Sequence, residues 1–475
     1  MSSETATHNL FDPRHTGPRD DDAGLVLVYA PSFEQVVNAI RFDPAAPLVL
    51  GREPPAGGVC VAHGGVSRLH ARIHRRADGW VIKDLDSRNG TFVEGARVDE
   101  HVLRDLDEIR IGDAVFKFVA QGIALYLHHR IDGSLVDGAV RPQTRMHELI
   151  GGAQMQRLTR ELEAIAQSDL SVVILGETGT GKEVAARAVH AASGRKGPFC
   201  AVNCAAIPMH LLESELFGYK RGAFSGADRD KVGLVRAANG GTLLLDEIGD
   251  MPLDAQAKVL RMIETREVLP LGATSGEKID VRLVSATHRE LPQLVEQGKF
   301  RGDLYARIHG YGTRLPPLRA RKEDVFLLAR HFLEKHGRSS MTMATPFVVA
   351  LCLYDFPYNV RELEATIRRA IALVDAEGGD RLDVRHLPEA IEAHLRSFGR
   401  PSDEPSLPSM PPRAPSSVAR PSSPPRSEAP SADELRDLLM RHRGNVAAIA
   451  RELSKDRVQI HRWMKRYALD PDDFR

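Results

Sequence analysis

Between residues 25 and 119 the apolar positions come in short runs: "GLVLVYA", "PLVLG", "ARIHRR", "GWVIKDL" and "AVFKFVA". Turn signals such as "ADG", "SRNG" and "GD" separate them. Short apolar runs with this punctuation predict strands joined by tight turns, and so an all-β sandwich over residues 24–122. From about residue 149 to 392 the period changes. β-branched runs alternate with amphipathic helical stretches, which predicts an α/β domain over residues 145–392. After a polar gap, residues 431–475 read as short helices of an all-α unit. In the last of them Ile460, Trp463, Met464 and Tyr467 recur at i, i+3, i+4 and i+7, a core-facing stripe. The opposite face carries Val458, His461, Arg462 and Lys465, with Arg457 and Arg466 beside it.

Composition adds the seams. Residues 1–23 are polar and predict a disordered lead-in. Residues 401–430 hold ten of the 29 prolines and eight serines, so 398–430 reads as an extended or disordered linker. A length of 475 residues suits about three domains. Lys+Arg and Asp+Glu both number 64, so a nucleic-acid site has to be a local patch. Residues 456–467 are such a patch, with four Lys/Arg against one Asp. Cys60, Cys200, Cys204 and Cys352 are too few and too scattered for a disulfide framework and read as reduced. The N-terminal stretch lacks a basic-then-apolar signal and no apolar run approaches 18 residues, so the expectation is a cytoplasmic protein with no membrane partner.

Two segments of the α/β region carry chemistry. "VVILGETGTGKE" runs from a strand into a helix, and Gly176 with Gly181-Lys182 has phosphate-loop spacing. Gly176, Glu177, Thr178, Gly179, Thr180 and Gly181 would turn backbone N–H groups toward phosphate oxygens at a helix start, and Lys182 would reach the β/γ-phosphates. Glu183 stands where the general motif has a Mg²⁺-binding Ser or Thr. "GGTLLLDEIGD" ends an apolar strand in Asp246-Glu247. Asp246 can hold Mg²⁺, and Glu247 can orient and deprotonate a water. In this order, each after a strand, the two predict ATP hydrolysis.

Further motifs extend the match. "NCAAI", "ESELFGYKRGAFSGAD", "VRLVSATHREL", "FRGDLYARI", "PPLRARKEDV" and "NVREL" follow in sequence. Residues 147–390 thereby resemble the AAA+ domain of bacterial enhancer-binding proteins, ATPases that activate RNA polymerase carrying sigma-54. The resemblance implies a helical lid over about residues 320–392 and self-association as a dimer and as a hexameric ring. It implies that the loop Gly222, Ala223, Phe224, Ser225, Gly226 and Ala227 docks onto sigma-54. Asn203 takes the place of the switch asparagine that reports on the γ-phosphate through Glu247. His288 takes the sensor I place, Arg361 that of sensor II, and Arg301 and Arg307 those of arginines reaching a neighbouring subunit's nucleotide. Ser225 replaces the family's usual Thr, Gly302 an acidic residue, Ala306 a Tyr and Tyr358 a Gly.

The flanking regions resemble two other families. "LGRE", "VSRLHARI" and "DLDSRNGTFVEG" resemble the forkhead-associated (FHA) domain. That implies phosphothreonine recognition, with Arg52, Ser67 and Arg68 at the phosphate and Asn89 on the peptide backbone. The partner would be a Ser/Thr kinase or its substrate. The C-terminal helices resemble the Fis-type helix-turn-helix, although Ser454 stands where a turn glycine is common. This implies that Arg457, Val458, His461, Arg462, Lys465 and Arg466 face upstream enhancer DNA. Two readings of the whole stay open: an ATP-driven sigma-54 activator, and a phosphopeptide-binding DNA scaffold with a weak or assembly-only ATPase. An unfoldase lacks support, because "RGAFSGAD" is not pore-loop chemistry.

Overall fold

The computed structural model describes residues 22–136, 149–224 and 227–397, with Arg436, 439–442, Met464 and Tyr467. The chain divides into two compact units, Met1–Pro405 and Ser406–Arg475. In the second unit Met464, expected on the core face, is buried. The helix-turn-helix and its residues Arg457, Val458, His461, Arg462, Lys465 and Arg466 lie outside the described residues.

All five apolar runs of the β region are strands. Two sheets face each other. One runs Ala39–Arg41, Gly24–Tyr29, Ala114–Val119, Glu108–Ile111, Thr91–Val93, Ala96–Val98. The other runs Val59–Cys60, Leu48–Gly51, Ala71–Arg76, Gly79–Asp84, Glu100–Val102. The six strands that apolar runs did not reveal are only two to four residues long. Between the sheets Phe42 packs on Trp80 and Phe118, ring centroids 4.7 and 5.8 Å apart.

The α/β region is a five-stranded parallel sheet ordered Phe199–Asn203, Thr242–Asp246, Arg282–Thr287, Val172–Leu175, Tyr311–Arg314. Helices cover both faces, so its central strands are apolar without alternation. The register sets Asn203 beside Asp246 and Leu175 beside Thr287. The strand ends that carry the phosphate loop, Asp246 and His288 therefore meet at one edge of the sheet, where α/β folds place ligands.

The lid contains Val325–Lys335, Thr345–Leu353, Asn359–Glu377 and Glu389–Ser397. Asn359–Glu377 buries Leu363, Ile367, Ala370, Ile371 and Val374, one amphipathic stripe, and ends at Gly378 in the left-handed region (φ 68°). Thr345–Leu353 differs: every residue from Phe347 to Leu353 is buried. An all-apolar helix needs cover on every side. Lid helices supply part, and the sandwich strands Gly24–Tyr29 and Ala114–Val119 supply the rest. The sandwich and the lid consequently share one continuous hydrophobic core.

The four cysteines are free, and among the described residues no cluster of His, Cys, Asp and Glu could hold a metal by itself. Burial pushes the Cys204 thiol up to about 12. Among the described residues no helix is long and apolar enough to cross a membrane.

Candidate functional site

The phosphate loop turns on Gly179 (φ 82°) and Gly181 (φ 105°), the latter opening helix Lys182–Ala192. A Cβ on Gly179 would lie 2.1 Å from the Tyr358 carbonyl oxygen, so the lid backbone approaches as only glycine permits. Lys182 is nearly buried. Its Nζ donates to the Gly176 carbonyl at 3.0 Å and sits 3.2 Å from Glu247 Oε1. Glu183, set aside by the motif, pairs with Arg187 one turn on.

Asp246 ends its strand, and Glu247 follows with φ 50°. Such a conformation is uncommon for a residue with a side chain, and it turns the Glu247 carboxylate back toward the phosphate loop. His288 Nδ1 lies 2.7 Å from Glu247 Oε2, and the His288 backbone N–H donates to the same oxygen at 3.2 Å. Burial pushes the Glu247 carboxyl up, but the His288 hydrogen bonds and the Lys182 ammonium outweigh it and hold the group below its ordinary value. Asp246 goes the other way, raised by burial and by the neighbouring Glu247 charge. Asn203 departs from the expected link to Glu247: its amide donates to Asp246 Oδ2 at 3.2 Å, and its oxygen accepts from the Ala205 and Ala206 N–H groups. The strand register explains this, because Asn203 and Asp246 are paired neighbours.

The lid closes one side. Arg361 reaches the loop through its backbone, N–H to the Gly179 carbonyl at 3.3 Å, while its side chain is exposed. Asn359, fully buried with φ 54°, was not anticipated as a site residue. Its amide donates to the Thr178 carbonyl at 3.0 Å and its oxygen accepts from the Leu318 N–H at 2.7 Å. Asn tolerates the left-handed region better than most residues, which is the signal "NVREL" held. Arg319, also unanticipated, forks onto Glu177 at 2.8 and 2.5 Å and, as the largest influence there, lowers its carboxyl. Of the family departures, Tyr358 has φ −104° and needs no glycine, and a side chain on Gly302 would meet Val295 at an ordinary 3.5 Å.

Arg301 and Arg307 are exposed on and beside helix Gly302–Ile308. Their charge partners are Asp303 at 2.7 Å and Glu264 at 3.7 Å, not groups of the phosphate loop. The loop with Gly222, Ala223, Phe224 and Ala227 springs from the ribbon Gly218–Tyr219 and Lys231–Val232. Lys220 and the Arg221 N–H both bind Asp230 and pinch its base. The Phe224 ring packs edge-on against Tyr219 at 4.9 Å yet stays 44% exposed. Ser225 and Gly226 lie outside the described residues.

In the β-sandwich, Arg52, Glu53, Ser67, Arg68, Asp86 and Arg88 line an open cleft of about 710 Å³. Ser67 Oγ accepts from the Arg88 N–H at 3.0 Å, and Asn89 donates to the Gly65 carbonyl at 2.8 Å. His70 is fully buried beneath them. Its Nδ1 accepts from the Ser67 N–H at 3.1 Å and its Nε2 meets the Gly90 carbonyl at 3.2 Å, which fixes the neutral tautomer. Burial lowers its pKa in the same direction. Asp84 ties the second loop, accepting from Ser87 and Thr91. Arg88 is a third cleft arginine that the motif comparison passed over, although "SRNG" contains it.

Family profiles match three stretches: the sigma-54 interaction domain over residues 149–313, the FHA domain over 48–112, and an AAA+ ATPase lid domain over 319–403. Similar proteins include the transcriptional regulatory protein GlrR of Escherichia coli, 38% identical over 371 residues, 76% of this chain and 78% of that protein. The nitric oxide reductase transcription regulator NorR1 of Cupriavidus necator is 37% identical over 411 residues, 83% of this chain and 77% of its own. Among solved structures, NtrX from Brucella abortus in complex with ATP is 28% identical, covering 68% of this chain and 69% of that one, with a TM-score of 0.47.

The cleft geometry generates a test. A Cβ on Gly51 would lie 2.0 Å from the Arg68 carbonyl oxygen. Gly51→Ala is expected to cost about 1–3 kcal/mol, as overpacking does. Urea unfolding followed by Trp80 fluorescence measures it, and an unchanged midpoint would mean that the Arg68 loop is free to move.

Proposed function

The chain belongs to the sigma-54-dependent transcriptional regulators, and from that premise we propose that it is an ATP-driven activator gated by a phosphothreonine protein. One observation carries the reading: Lys182, Asp246, Glu247 and His288 converge at the sheet edge that the phosphate loop opens. The loop's backbone N–H groups and Lys182 would bind the phosphates of ATP, with Lys182 exchanging Glu247 for phosphate oxygen. Asp246 would hold Mg²⁺, which supplies charge neutralisation at those oxygens and commonly takes only one or two carboxylates besides phosphate. Glu247, kept ionised by His288, would orient a water and accept its proton at Oε2. Asn203, on Asp246, is poised to sense a change at the metal position.

Arg301 and Arg307 would complete the site of a neighbouring copy, which requires a closed ring. Their exposure and purely local ion pairs support this. The exposed Phe224 loop would contact sigma-54 in the polymerase holoenzyme. The basic residues Arg457, Arg462, Lys465 and Arg466 would bind upstream DNA through phosphate contacts. Arg52, with Ser67 and Arg68, would take the phosphate in the FHA cleft, where Arg's fork suits it.

Three outcomes are expected. Arg52→Ala should lose at least tenfold in affinity for a phosphothreonine peptide, since a hydrogen bond to a charged group is worth about 1.5–3 kcal/mol. Calorimetry on the variant gives the answer, and wild-type affinity would remove Arg52 from the cleft chemistry.

Arg307→Ala and Glu247→Gln should each abolish hydrolysis, with ADP binding retained. Mixing the two proteins should restore part of the phosphate release, because some interfaces combine two intact halves. Mixtures no more active than either variant alone would refute the shared site.

Phe224→Ala should leave ATPase near wild type and lower open-complex formation on a supercoiled sigma-54 promoter by more than tenfold, a contact aromatic being worth about 2 kcal/mol or more. Parallel loss of both activities would make the loop part of the ring's structure instead.

A further inference from the structure

The turn Leu318–Asp324, "LRARKED", lies between the sheet and the lid and is kinked at Arg321 (φ −131°, ψ 48°). It carries five charged side chains besides Arg319's neighbour Ala320, and four of them, Arg321, Lys322, Glu323 and Asp324, are buried. Their partners divide by direction. Arg319 forks onto Glu177 of the phosphate loop, and Arg321 donates to the Thr180 carbonyl of the same loop at 3.3 Å. Lys322 and Glu323 turn the other way, into the FHA domain. Glu323 accepts from Lys117 Nζ at 2.6 Å, and Lys322 pairs with Glu108 while also binding the Leu353 carbonyl at 3.1 Å. Asp324 accepts the Gly152 N–H at 2.7 Å and so anchors the turn to the α/β domain.

Glu108 and Lys117 are directly opposite each other in the hairpin of residues 108–119, yet each takes its charge partner from the turn. Both pairs are out of water, and nearby Phe326 packs on Tyr29 and Phe33 of the sandwich, ring centroids 5.5 and 5.4 Å apart. Removing Lys117 or Glu323 leaves the other charge buried without its ionic partner, which is strongly unfavourable, whereas Lys322 keeps Asp355 at 2.8 Å if Glu108 is lost. The hairpin's tip, Gly112, abuts the cleft loop: a Cβ there would lie 3.0 Å from the Gly65 carbonyl. The cleft and the phosphate loop thus stand at the two ends of one chain of contacts.

We propose that Leu318–Asp324 is a coupling element through which the docked FHA domain sets nucleotide affinity. Docking fixes Lys322 and Glu323. These hold the turn, and the turn presents Arg319 and Arg321 to Glu177 and Thr180. Arg319 and Arg321 are positioning residues, acting on phosphate through the loop they brace. The proposal rests on reading residues 176–182 as the nucleotide loop. Coupling between sites typically changes affinity about 5–150-fold, and an effect in that range is expected here.

The test uses full-length protein and fluorescent ADP with Mg²⁺. Lys117→Met should weaken ADP binding within that range and raise amide exchange in residues 176–182. Lys117→Met combined with Glu323→Leu replaces the pair with apolar groups of similar volume and should restore both readings toward wild type. Glu108→Gln is the milder variant, should Lys117→Met not fold, and should weaken ADP binding in the same direction. ADP affinity unchanged in Lys117→Met and Glu108→Gln would overturn the coupling while leaving the nucleotide reading intact. Wild-type protein that does not bind ADP would overturn both.

Discussion

Helix Thr345–Leu353 has no polar face, and much of the architecture follows from covering it. Lid helices alone leave the side toward Gly24–Tyr29 and Ala114–Val119 open to water. Burying a Val, Leu or Phe side chain is worth roughly 1.5–3 kcal/mol each, so a seven-residue apolar stretch strongly favours a second layer over it. The FHA sandwich is that layer. Its docking takes Glu108 and Lys117 out of water, and the turn before the lid answers with Lys322 and Glu323. Burial pushes the Glu108 carboxyl up to about 7 even so, and the Lys322 charge opposes the shift without cancelling it. Hydrophobic cover therefore decides where the two domains meet, and charge pairing decides their register.

The phosphate loop is built on the same economy of shared groups. Its glycines bring backbone close to the lid, and Asn359 and the Arg361 N–H occupy loop carbonyls while Arg319 takes both Glu177 oxygens. The lid is thus bonded to the loop directly, and motion of one element is felt by the other. Glu247 sits under the same constraint from the opposite side, its two oxygens shared between Lys182 and His288. An imidazole at residue 288 holds this carboxylate by ring and backbone together, which an apolar side chain could not.

Legibility in the sequence varied with chain distance. The phosphate loop, "LLLDEI" and the FHA loops are contiguous segments whose glycines, strand ends and turns are local choices, and the fold carries them as read. The six short strands of the sandwich were invisible because two to four residues show no period. Asn203 was placed on Glu247 by motif and sits on Asp246, because the register between adjacent strands brings the latter nearer. Asn359, Arg319 and Arg88 were missed. Each is a common polar residue, significant only for what it meets across the fold.

By itself the sequence determined the chemistry of the contiguous segments: a loop of glycines before a lysine, paired carboxylates at a strand end, and turns carrying arginine, serine and asparagine between short strands. Backbone conformation and side-chain type are local properties, and local sequence encodes them. Only the tertiary structure decided which charges meet. Lys117 and Glu323 are 206 residues apart, and Lys322 and Glu108 are 214 apart. In the chain "LRARKED" belongs to a segment that resembles the family, but nothing local says which of its charges are buried or what they meet. Folding removes it from water, and a buried charge must then have a partner wherever the packing supplies one.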